Sequence, residues 1–490
     1  MTNTHSTSTL NWDTVFAIPI SEANRMIREQ KSSPKKFELQ DGNGNDFKGE
    51  FKEWQISTGG DGNSIRMHIP VRDFHTFLQD ELLTGDFGFQ SADLYIQVKL
   101  NYLPHEKLEK DTEDEQLYNL KMKTMSSNPE DPVVIGIDLK NMEGLSYPQL
   151  SSYNVFIDLK DILKEIFMGQ IITWLTLNLD EFNHTFNVVN LNLYISNDKP
   201  WAWCKPSYVD YAYTDVEGDV NKSLLGVLCM TGGRKGGIQQ QQKLDAYVIP
   251  KASNSGFLIA QERFLQDVLL PTLPMKFENS TINDYEIINA SDETGQYQYS
   301  LQLKENKSIQ LDKVNTESGT FTPCLTELKI SLVGDEMRLE SYTETPLFAG
   351  VTAWCSTIHN YRVILAENKK GEQTITYEEL GEPTLLKGTN NEGSLPIDIA
   401  KALLAITGVL LGIFTSGATC LITGIVVAIL YGTLELLPKL IENYNVETSP
   451  SIDLMIKNTT SQIIWDASKT FKLDYAGLAG PLQLGGEYVI

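Results

Sequence analysis

The stretch Asp93-Leu94-Tyr95-Ile96-Gln97-Val98-Lys99-Leu100 alternates polar and apolar side chains along its whole length. A period of two predicts a β-strand with one face in the core and the other in solvent. Ser64-Ile65-Arg66-Met67-His68-Ile69 shows the same alternation. Between Phe277 and Tyr377 several such strands follow one another, for example Thr326–Leu332 and Arg362–Leu365. Strands in succession, without a helix between each pair, favour a large antiparallel sheet over βαβ units.

Two stretches have helical spacing instead. In Asp158–Gly169 the apolar residues recur at i, i+3, i+4, i+7 and i+8, which predicts an amphipathic helix. A second helix is predicted after Gly256, with a shared apolar face of Phe264, Leu265, Val268 and Leu269. We expect Pro271 to end it, because proline lacks the N–H that the next helical turn needs.

The segment Ala402–Leu434 contains no charged residue. A run of about 18 or more apolar residues is normally interpreted as a transmembrane helix. Glycines and hydroxyl residues interrupt this one, and Thr415-Ser416-Gly417 is a natural break between two shorter helices. Three interpretations remain: a buried helix or helix pair, a hairpin that inserts into membranes, and a permanent anchor. We favour burial and predict a long apolar helix at 396–444.

Charge and motif content exclude several classes of function. The 490 residues carry 40 basic and 64 acidic side chains, a net charge of −24, which argues against binding to nucleic acid. The five cysteines form no CxxC pair, so neither structural zinc nor an iron–sulfur cluster is indicated, and we predict no cofactor. No HExxH or GxSxG motif occurs. We therefore predict that the protein is not an enzyme.

The loop Thr231–Gly237 places two adjacent cations, Arg234 and Lys235, among four glycines. It lacks the spacing of a phosphate-binding loop, because the residue after Lys235 is glycine. Two interpretations remain: a solvated turn, or a contact for an anionic head group through backbone N–H groups and two cations.

Several short stretches resemble the OrfX-type TULIP family, the tubular lipid-binding proteins encoded beside botulinum neurotoxins and in insecticidal toxin gene clusters. The opening Leu10–Ile18 with Asn24 carries the resemblance, as does Trp54-x-Ile56-x-x-Gly59-Gly60-x-Gly62. Further matches extend it through most of the chain, at Ser223–Cys229, Ser255–Ile259, Phe264-Leu265 and Leu269–Pro274.

The resemblance implies an α+β protein with an elongated TULIP-like fold, in which strongly curved antiparallel sheets wrap long helices. We expect a disordered tail at 1–9, an N-terminal TULIP-like segment at 10–275 with an acidic loop at 104–130, and a β-rich C-terminal segment at 276–490. Acyl chains would lie in an apolar helix–sheet seam. The residues expected to line the seam are Leu159, Ile162, Ile166, Phe167, Leu403, Ile406, Leu410 and Phe414.

The implied function is that of a non-enzymatic lipid-binding component of a bacterial toxin cluster, a virulence accessory that contacts membranes peripherally. Its partners would be phospholipid or another lipid and sibling proteins of the cluster, with Arg234 and Lys235 as head-group contacts. Two alternatives are a scaffold that assembles with those siblings and a membrane-inserting toxin that uses the 402–434 hairpin. The polar start of the sequence shows no Sec-type signal, so we expect cytoplasmic synthesis and release as part of a toxin complex.

Overall fold

A computed structural model gives the fold of most of the chain. It describes residues 6–40, 45–79, 84–104, 117–122, 134–147, 159–178, 182, 187–190, 202–277, 279–291, 297–311, 313–316, 319–346, 350–367, 371, 373–391, 409–411, 422–425 and 471–488. All strand pairs in these ranges are antiparallel. They form three large sheets and two isolated strand pairs.

The central sheet has six strands and brings together distant parts of the chain. Its order is β10-β11-β1-β12-β26-β25. The strands are β1 (Thr14–Pro19), β10 (Pro206–Thr214), β11 (Leu224–Thr231), β12 (Ser255–Ile259), β25 (Phe471–Leu478) and β26 (Leu482–Tyr488). Three of the stretches that carry the family resemblance are therefore β1, β11 and β12, which lie side by side.

The N-terminal sheet has eight strands in the order β2-β3-β5-β6-β7-β9, with β4 paired to β5 and β8 to β6. The strands are β2 (Lys36–Gln40), β3 (Asp46–Phe51), β4 (Gln55–Asp61), β5 (Ser64–Gln79), β6 (Thr84–Pro104), β7 (Leu117–Met122), β8 (Val134–Glu143) and β9 (Asn187–Asn190). The two alternating stretches of the sequence pair with each other here, from Ser64 with Lys99 to Ile69 with Leu94. Both strand predictions are confirmed.

The C-terminal sheet also has eight strands, in the order β13-β14-β18-β19-β20-β21, with β15 paired to β18 and β22 to β20. The strands are β13 (Tyr285–Ser291), β14 (Tyr297–Leu303), β15 (Ile309–Gln310), β18 (Cys324–Val333), β19 (Glu336–Pro346), β20 (Val351–Glu367), β21 (Gln373–Glu379) and β22 (Thr384–Asn391). This confirms the large antiparallel sheet predicted between Phe277 and Tyr377. The isolated pairs are β16 (Val314–Thr316) with β17 (Gly319–Phe321), and β23 (Val409–Leu411) with β24 (Ile422–Ile425).

The described residues contain few helices. They are α1 (Ile20–Gln30), α2 (Leu159–Asn178), α3 (Gln261–Arg263) and α4 (Leu273–Lys276). A π-helical turn (Phe264–Leu269) and a 3₁₀ turn (Leu270–Thr272) join α3 to α4, and 3₁₀ turns also occur at Ala202–Cys204 and Ile282–Asp284. Within the described ranges no helix is long and apolar enough to cross a bilayer.

The structure corrects several predictions about the helices and about the N-terminal tail. Long helices are not the framework of the fold: α1 and α2 have 11 and 20 residues, and strands dominate. In the predicted helix 396–444 the described residues are the strands β23 and β24, so that prediction is wrong there; the remainder lies outside the described residues. Pro271 does not end its helix, because the 3₁₀ turn needs no N–H from it. The predicted disordered tail is ordered from residue 6, since Thr7 is buried and bonds the carbonyl of Ala479.

Hydrogen bonds of two side chains tie the three sheets together. The Tyr211 hydroxyl accepts a hydrogen bond from the backbone N–H of Leu100 at 2.7 Å, which joins β10 to the N-terminal sheet. The amide of Gln373 joins β21 to β25: its Nε2 donates to the Leu473 carbonyl at 2.7 Å and its Oε1 accepts from the Leu473 N–H at 2.8 Å.

A similar amide pair fixes α1 against the N-terminal sheet. Asn24 Nδ2 donates to the carbonyl of Ile56 at 2.8 Å, and the Ile56 N–H donates to Asn24 Oδ1 at 2.7 Å. Asn24 is buried, and so is Ile56. The side chain thus satisfies both backbone groups of a strand residue that solvent does not reach. Asn24 and Ile56 both belong to stretches that carry the family resemblance, and this contact brings the two stretches together.

We predict that Asn24→Ala destabilises the protein by about 3 kcal/mol, because it leaves a buried N–H and a buried C=O without partners. Urea unfolding followed by circular dichroism measures the change. The matched control is Asn279→Ala, which removes an exposed hydrogen bond to the Gln310 carbonyl and should change the free energy of unfolding by less than about 1 kcal/mol. If both substitutions lower the free energy of unfolding equally, the buried hydrogen bonds of Asn24 do not stabilise the fold more than an exposed one.

Candidate functional site

Helix α2 packs against the N-terminal sheet and forms the candidate seam. Its main contacts are with β2 and β8. The buried face consists of Leu163, Phe167, Ile171, Trp174 and Leu175. Lys164 faces Asp138 of β8, with Nζ 3.7 Å from Oδ1. The predicted helix is confirmed from Leu159 and extends beyond Gly169, where the prediction ended.

An aromatic cluster fills the space between the buried face of α2 and the sheet. We define it as Phe37, Phe51, Trp54, Phe74, Phe89, Phe167, Trp174 and Phe182, all of them buried. Phe167 lies at its centre: its ring centroid is 4.9 Å from that of Phe74 and 5.2 Å from that of Phe89, both edge-on. Edge-to-face pairs at these distances are favourable beyond the area they bury. The inner part of the seam is therefore occupied by the protein's own rings.

An apolar flank of α2 remains open beside the cluster. We define it as Leu159, Ile162, Ile166 and Leu177, which lie on one side of the helix at 3.6 residues per turn. The first three are half-buried, and Leu177 is 61% exposed. Ile172, on another side of α2, is 38% exposed. The helix thus carries more apolar surface than the sheet covers.

The structure separates the seam residues predicted from the sequence. Leu159, Ile162 and Ile166 lie on the apolar flank, whereas Phe167 lies in the aromatic cluster. Leu403, Ile406 and Phe414 lie outside the described residues. Leu410 is in β23, which pairs with β24 and contacts α4. The main contacts of α2 are with the N-terminal sheet, so the described parts of the two predicted seam halves lie against different elements. The prediction missed Leu177, although it follows Leu159 by five full helical turns.

The predicted head-group residues also differ in their surroundings. Arg234 is half-buried: its Nη2 lies 2.5 Å from Asp13 Oδ2, and its Nε donates to the Thr231 carbonyl at 3.1 Å. Lys235 is exposed. Ser207 Oγ donates to the Arg234 carbonyl at 2.6 Å, which helps to hold the loop in place. Lys235 is therefore accessible to an external anion, while the charge of Arg234 is directed inwards.

Arg234 belongs to an ionic cluster, which we define as Asp13, Arg234, Glu262, Arg263 and Asp267. Arg263 is buried, with Nη1 3.1 Å from Asp267 Oδ2, Nη2 2.8 Å from Glu262 Oε1 and Nε 3.9 Å from Asp13 Oδ1. Asp13, only 5% exposed, also accepts from the Thr231 N–H at 2.7 Å. The cluster joins the residue before β1, the loop after β11 and the helical stretch after β12.

Burial raises the pKa of Asp13 above its ordinary value of 3.8, and the Thr231 N–H and the two arginines offset only part of that rise. Burial likewise lowers the pKa of Arg234. Because the folded state holds the Asp13 proton more tightly than the unfolded chain, this group's contribution to stability is present below its unfolded pKa. The contribution is lost as the pH rises through the folded pKa. Its arrangement is that of a structural ion cluster rather than of an acid–base site.

We predict that Asp13→Ala destabilises the protein by about 3 kcal/mol at neutral pH, because the buried N–H of Thr231 and the guanidinium of Arg234 lose the oxygen that accepts their hydrogen bonds. The free energy of unfolding in urea measures this effect. Glu262→Ala is the control within the same cluster: its carboxylate is 40% exposed, and the loss should stay below about 1 kcal/mol. If the two variants lose the same free energy of unfolding, the burial of a carboxylate does not determine how much it stabilises the ionic cluster.

Comparison with known proteins identifies the family. A family model described as OrfX-like (protein OrfX2/OrfX3/P47) matches residues 9–486. Protein OrfX3 of Paraclostridium bifermentans is 51% identical over 495 residues, with 100% of each chain covered. Protein OrfX3 of Clostridium botulinum (strain Kyoto / Type A2) is 46% identical over 482 residues, with 98% of each chain covered.

A solved structure, that of P47 from Clostridium botulinum A2, matches with a TM-score of 0.60 and 15% sequence identity, with 98% of each chain covered. At this identity the match shows a shared fold alone. The sequence relatives and the family model agree with each other and with the resemblance of the motif stretches now found in β1, β11 and β12. The chain therefore belongs to the OrfX-like family.

Proposed function

We propose that this protein is a non-enzymatic lipid-binding component of a bacterial toxin gene cluster, and that it holds an acyl chain along α2. The apolar flank, Leu159 to Leu177, is the observation that carries the proposal. Leu159, Ile162 and Ile166 form an apolar strip roughly 10 Å long, and Leu177 lies roughly 16 Å further along the same side of the helix, beyond Gln170 and Thr173. The strip suits a segment of an acyl chain, and the aromatic cluster forms the rigid wall behind it.

The driving force is the removal of apolar surface from water. Each buried methylene contributes about 0.8 kcal/mol, so part of one acyl chain is enough for useful affinity. The proposal changes the role expected for Phe167, which supports the wall instead of touching the lipid. Lys235 is the cation that we assign to an anionic head group, since Arg234 is paired with Asp13.

A scaffold that assembles with sibling proteins is the second candidate. The filled aromatic cluster favours it, because a seam closed by its own rings has a structural role without any ligand. In that case the apolar flank would contact a partner protein. The membrane-inserting alternative depends on 402–434, of which only β23 and β24 lie within the described residues.

The test is lipid extraction and native mass spectrometry of the full chain, with liposome co-sedimentation as a second readout. We predict that the double variant Ile162→Gln/Ile166→Gln retains about tenfold less lipid than the wild type, because glutamine keeps the helix and removes the apolar contact. Glu165→Gln is the matched control. It changes an exposed residue on another side of α2 and should leave lipid retention unchanged.

A wild-type protein that carries no lipid and does not sediment with liposomes would overturn the proposal. Loss of co-purifying cluster proteins in the same double variant, with no lipid in the wild type, would support the scaffold instead. Equal lipid retention in the double variant and the wild type would show that the lipid lies elsewhere.

A further inference from the structure

Three cations from different elements converge on one carboxylate of the N-terminal sheet. They are Arg66 of β5, Lys140 of β8 and Lys164 of α2, which we call the cation cluster. The shared carboxylate is Asp138 of β8: Arg66 Nη2 lies 4.0 Å from its Oδ2, Lys140 Nζ lies 3.4 Å from Oδ2, and Lys164 Nζ lies 3.7 Å from Oδ1. The sequence does not reveal this cluster, because its members meet only in the folded chain.

The cation cluster carries more positive charge than Asp138 can neutralise. Among the described residues, no other carboxylate lies within 4.0 Å of any of the three cations. All three separations exceed the length of a charge-assisted hydrogen bond, about 2.7–2.9 Å, so none of the cations is firmly bonded to Asp138. Asp93, on the same face of the sheet, is bonded instead by His68 Nε2 at 2.8 Å and Asn141 Nδ2 at 2.7 Å. Even with both carboxylates counted, this face has a surplus of positive charge on a chain whose net charge is −24.

Tyr95 and Gly59 hold two of the cations in position. Arg66 Cζ lies 4.6 Å from the ring centroid of Tyr95, and Lys140 Nζ lies 5.4 Å from the same centroid. Cation–π attraction to one ring therefore keeps two like charges close together. Gly59 has φ +97°, and a Cβ at this residue would lie 3.1 Å from Arg66 Nη1. The glycine of the family-like motif thus leaves room for the guanidinium.

The cation cluster is open to solvent. The exposed fraction of the side chain is 29% for Arg66, 51% for Lys140 and 34% for Lys164. A ligand from solution can therefore contact all three cations. A phosphate group suits them, because the planar fork of arginine bonds two of its oxygens and each lysine brings a positive charge to another. A second carboxylate suits them less, since it brings one charge and two oxygens where a phosphate dianion brings two charges and three oxygens.

We propose that Arg66, Lys140 and Lys164 bind the phosphate group of a phosphate monoester. Asp138 holds the three cations together, and the phosphate supplies the negative charge that one carboxylate does not. Lys164 is two residues from both Ile162 and Ile166 and so lies on another side of α2 from the apolar flank. The site is therefore separate from the proposed acyl-chain site, and the inference holds whether or not a lipid lies along α2. Soluble phosphate compounds and lipid head groups share this chemistry, and the experiment distinguishes between them.

The experiment is calorimetric titration of the full-length protein with inorganic phosphate at low ionic strength, where surface charges are least screened. Lys140→Gln should weaken phosphate binding about tenfold, because it removes one charge-assisted hydrogen bond. Lys48→Gln is the matched control. Lys48 is also on a strand of this sheet and is 55% exposed, but it has a carboxylate of its own, with Nζ 3.3 Å from Asp46 Oδ2. This variant should bind phosphate as the wild type does.

Asp138→Asn tests the inference with a change of opposite sign. It removes the negative charge that competes with phosphate for the three cations, so phosphate should bind several-fold more tightly. Poor folding of a variant cannot produce such a gain. A purely structural ion cluster predicts no gain, and unchanged or weaker binding by Asp138→Asn would contradict the site.

Vesicles of phosphatidylcholine with phosphatidic acid identify the source of the phosphate group. If Lys140→Gln reduces sedimentation with these vesicles as well as phosphate binding, the ligand is a lipid head group; if it reduces phosphate binding alone, the ligand is soluble. A wild type that binds no inorganic phosphate overturns the inference, as does equal phosphate binding by Lys140→Gln and the wild type. Either failure leaves the proposed function intact, because that function is tested at Ile162 and Ile166.

Discussion

The position of β1 between β11 and β12 is the constraint on which the rest of the structure depends. Residues 14–19 pair with 224–229 on one side, and residues 14–17 pair with 256–259 on the other. Asp13 stands at the start of this strand and attracts Arg234 and Arg263 from the two neighbouring segments. The central sheet that results is the support to which both larger sheets attach, through Tyr211 on one side and Gln373 on the other.

This arrangement also determines where the candidate site lies. Helix α1 follows β1 directly and is fixed by Asn24 to Ile56, which lies two residues beyond Trp54. The position of the indole is thus set by the central sheet through α1, and not only by its aromatic neighbours. The apolar flank is less constrained, since nothing described covers Leu177. Rigid rings on one side and open apolar surface on the other suit a ligand of variable length better than one of fixed shape.

Strands with one solvent-exposed face were predictable from the sequence. The alternation of polar and apolar residues in Ser64–Ile69 and Asp93–Leu100 indicates directly which side chains are buried. Strand β11 was found only as a motif, since all its residues are buried and a continuous apolar run has no period. The end of α2 was misjudged at Gly169, where glycine costs the helix only about 1 kcal/mol and the burial of Ile171 and Trp174 outweighs it. In 402–434 the absence of charge indicated burial but did not distinguish helix from strand. The aromatic cluster was beyond prediction, because rings as distant as Phe37 and Phe167 meet only in the folded chain.

The pairing of β12 with β26 has a consequence for biosynthesis. Ser255 Oγ bonds the carbonyl of Gly486, a contact that spans 231 residues. Until β26 has been synthesised, one edge of β12 has unpaired N–H and C=O groups. Such an edge can pair with strands of other chains. Pairings of high sequence separation also form slowly, because a long loop must close before they can add any stability. The nascent chain therefore exposes this edge for longer than a chain whose sheet partners are close in sequence.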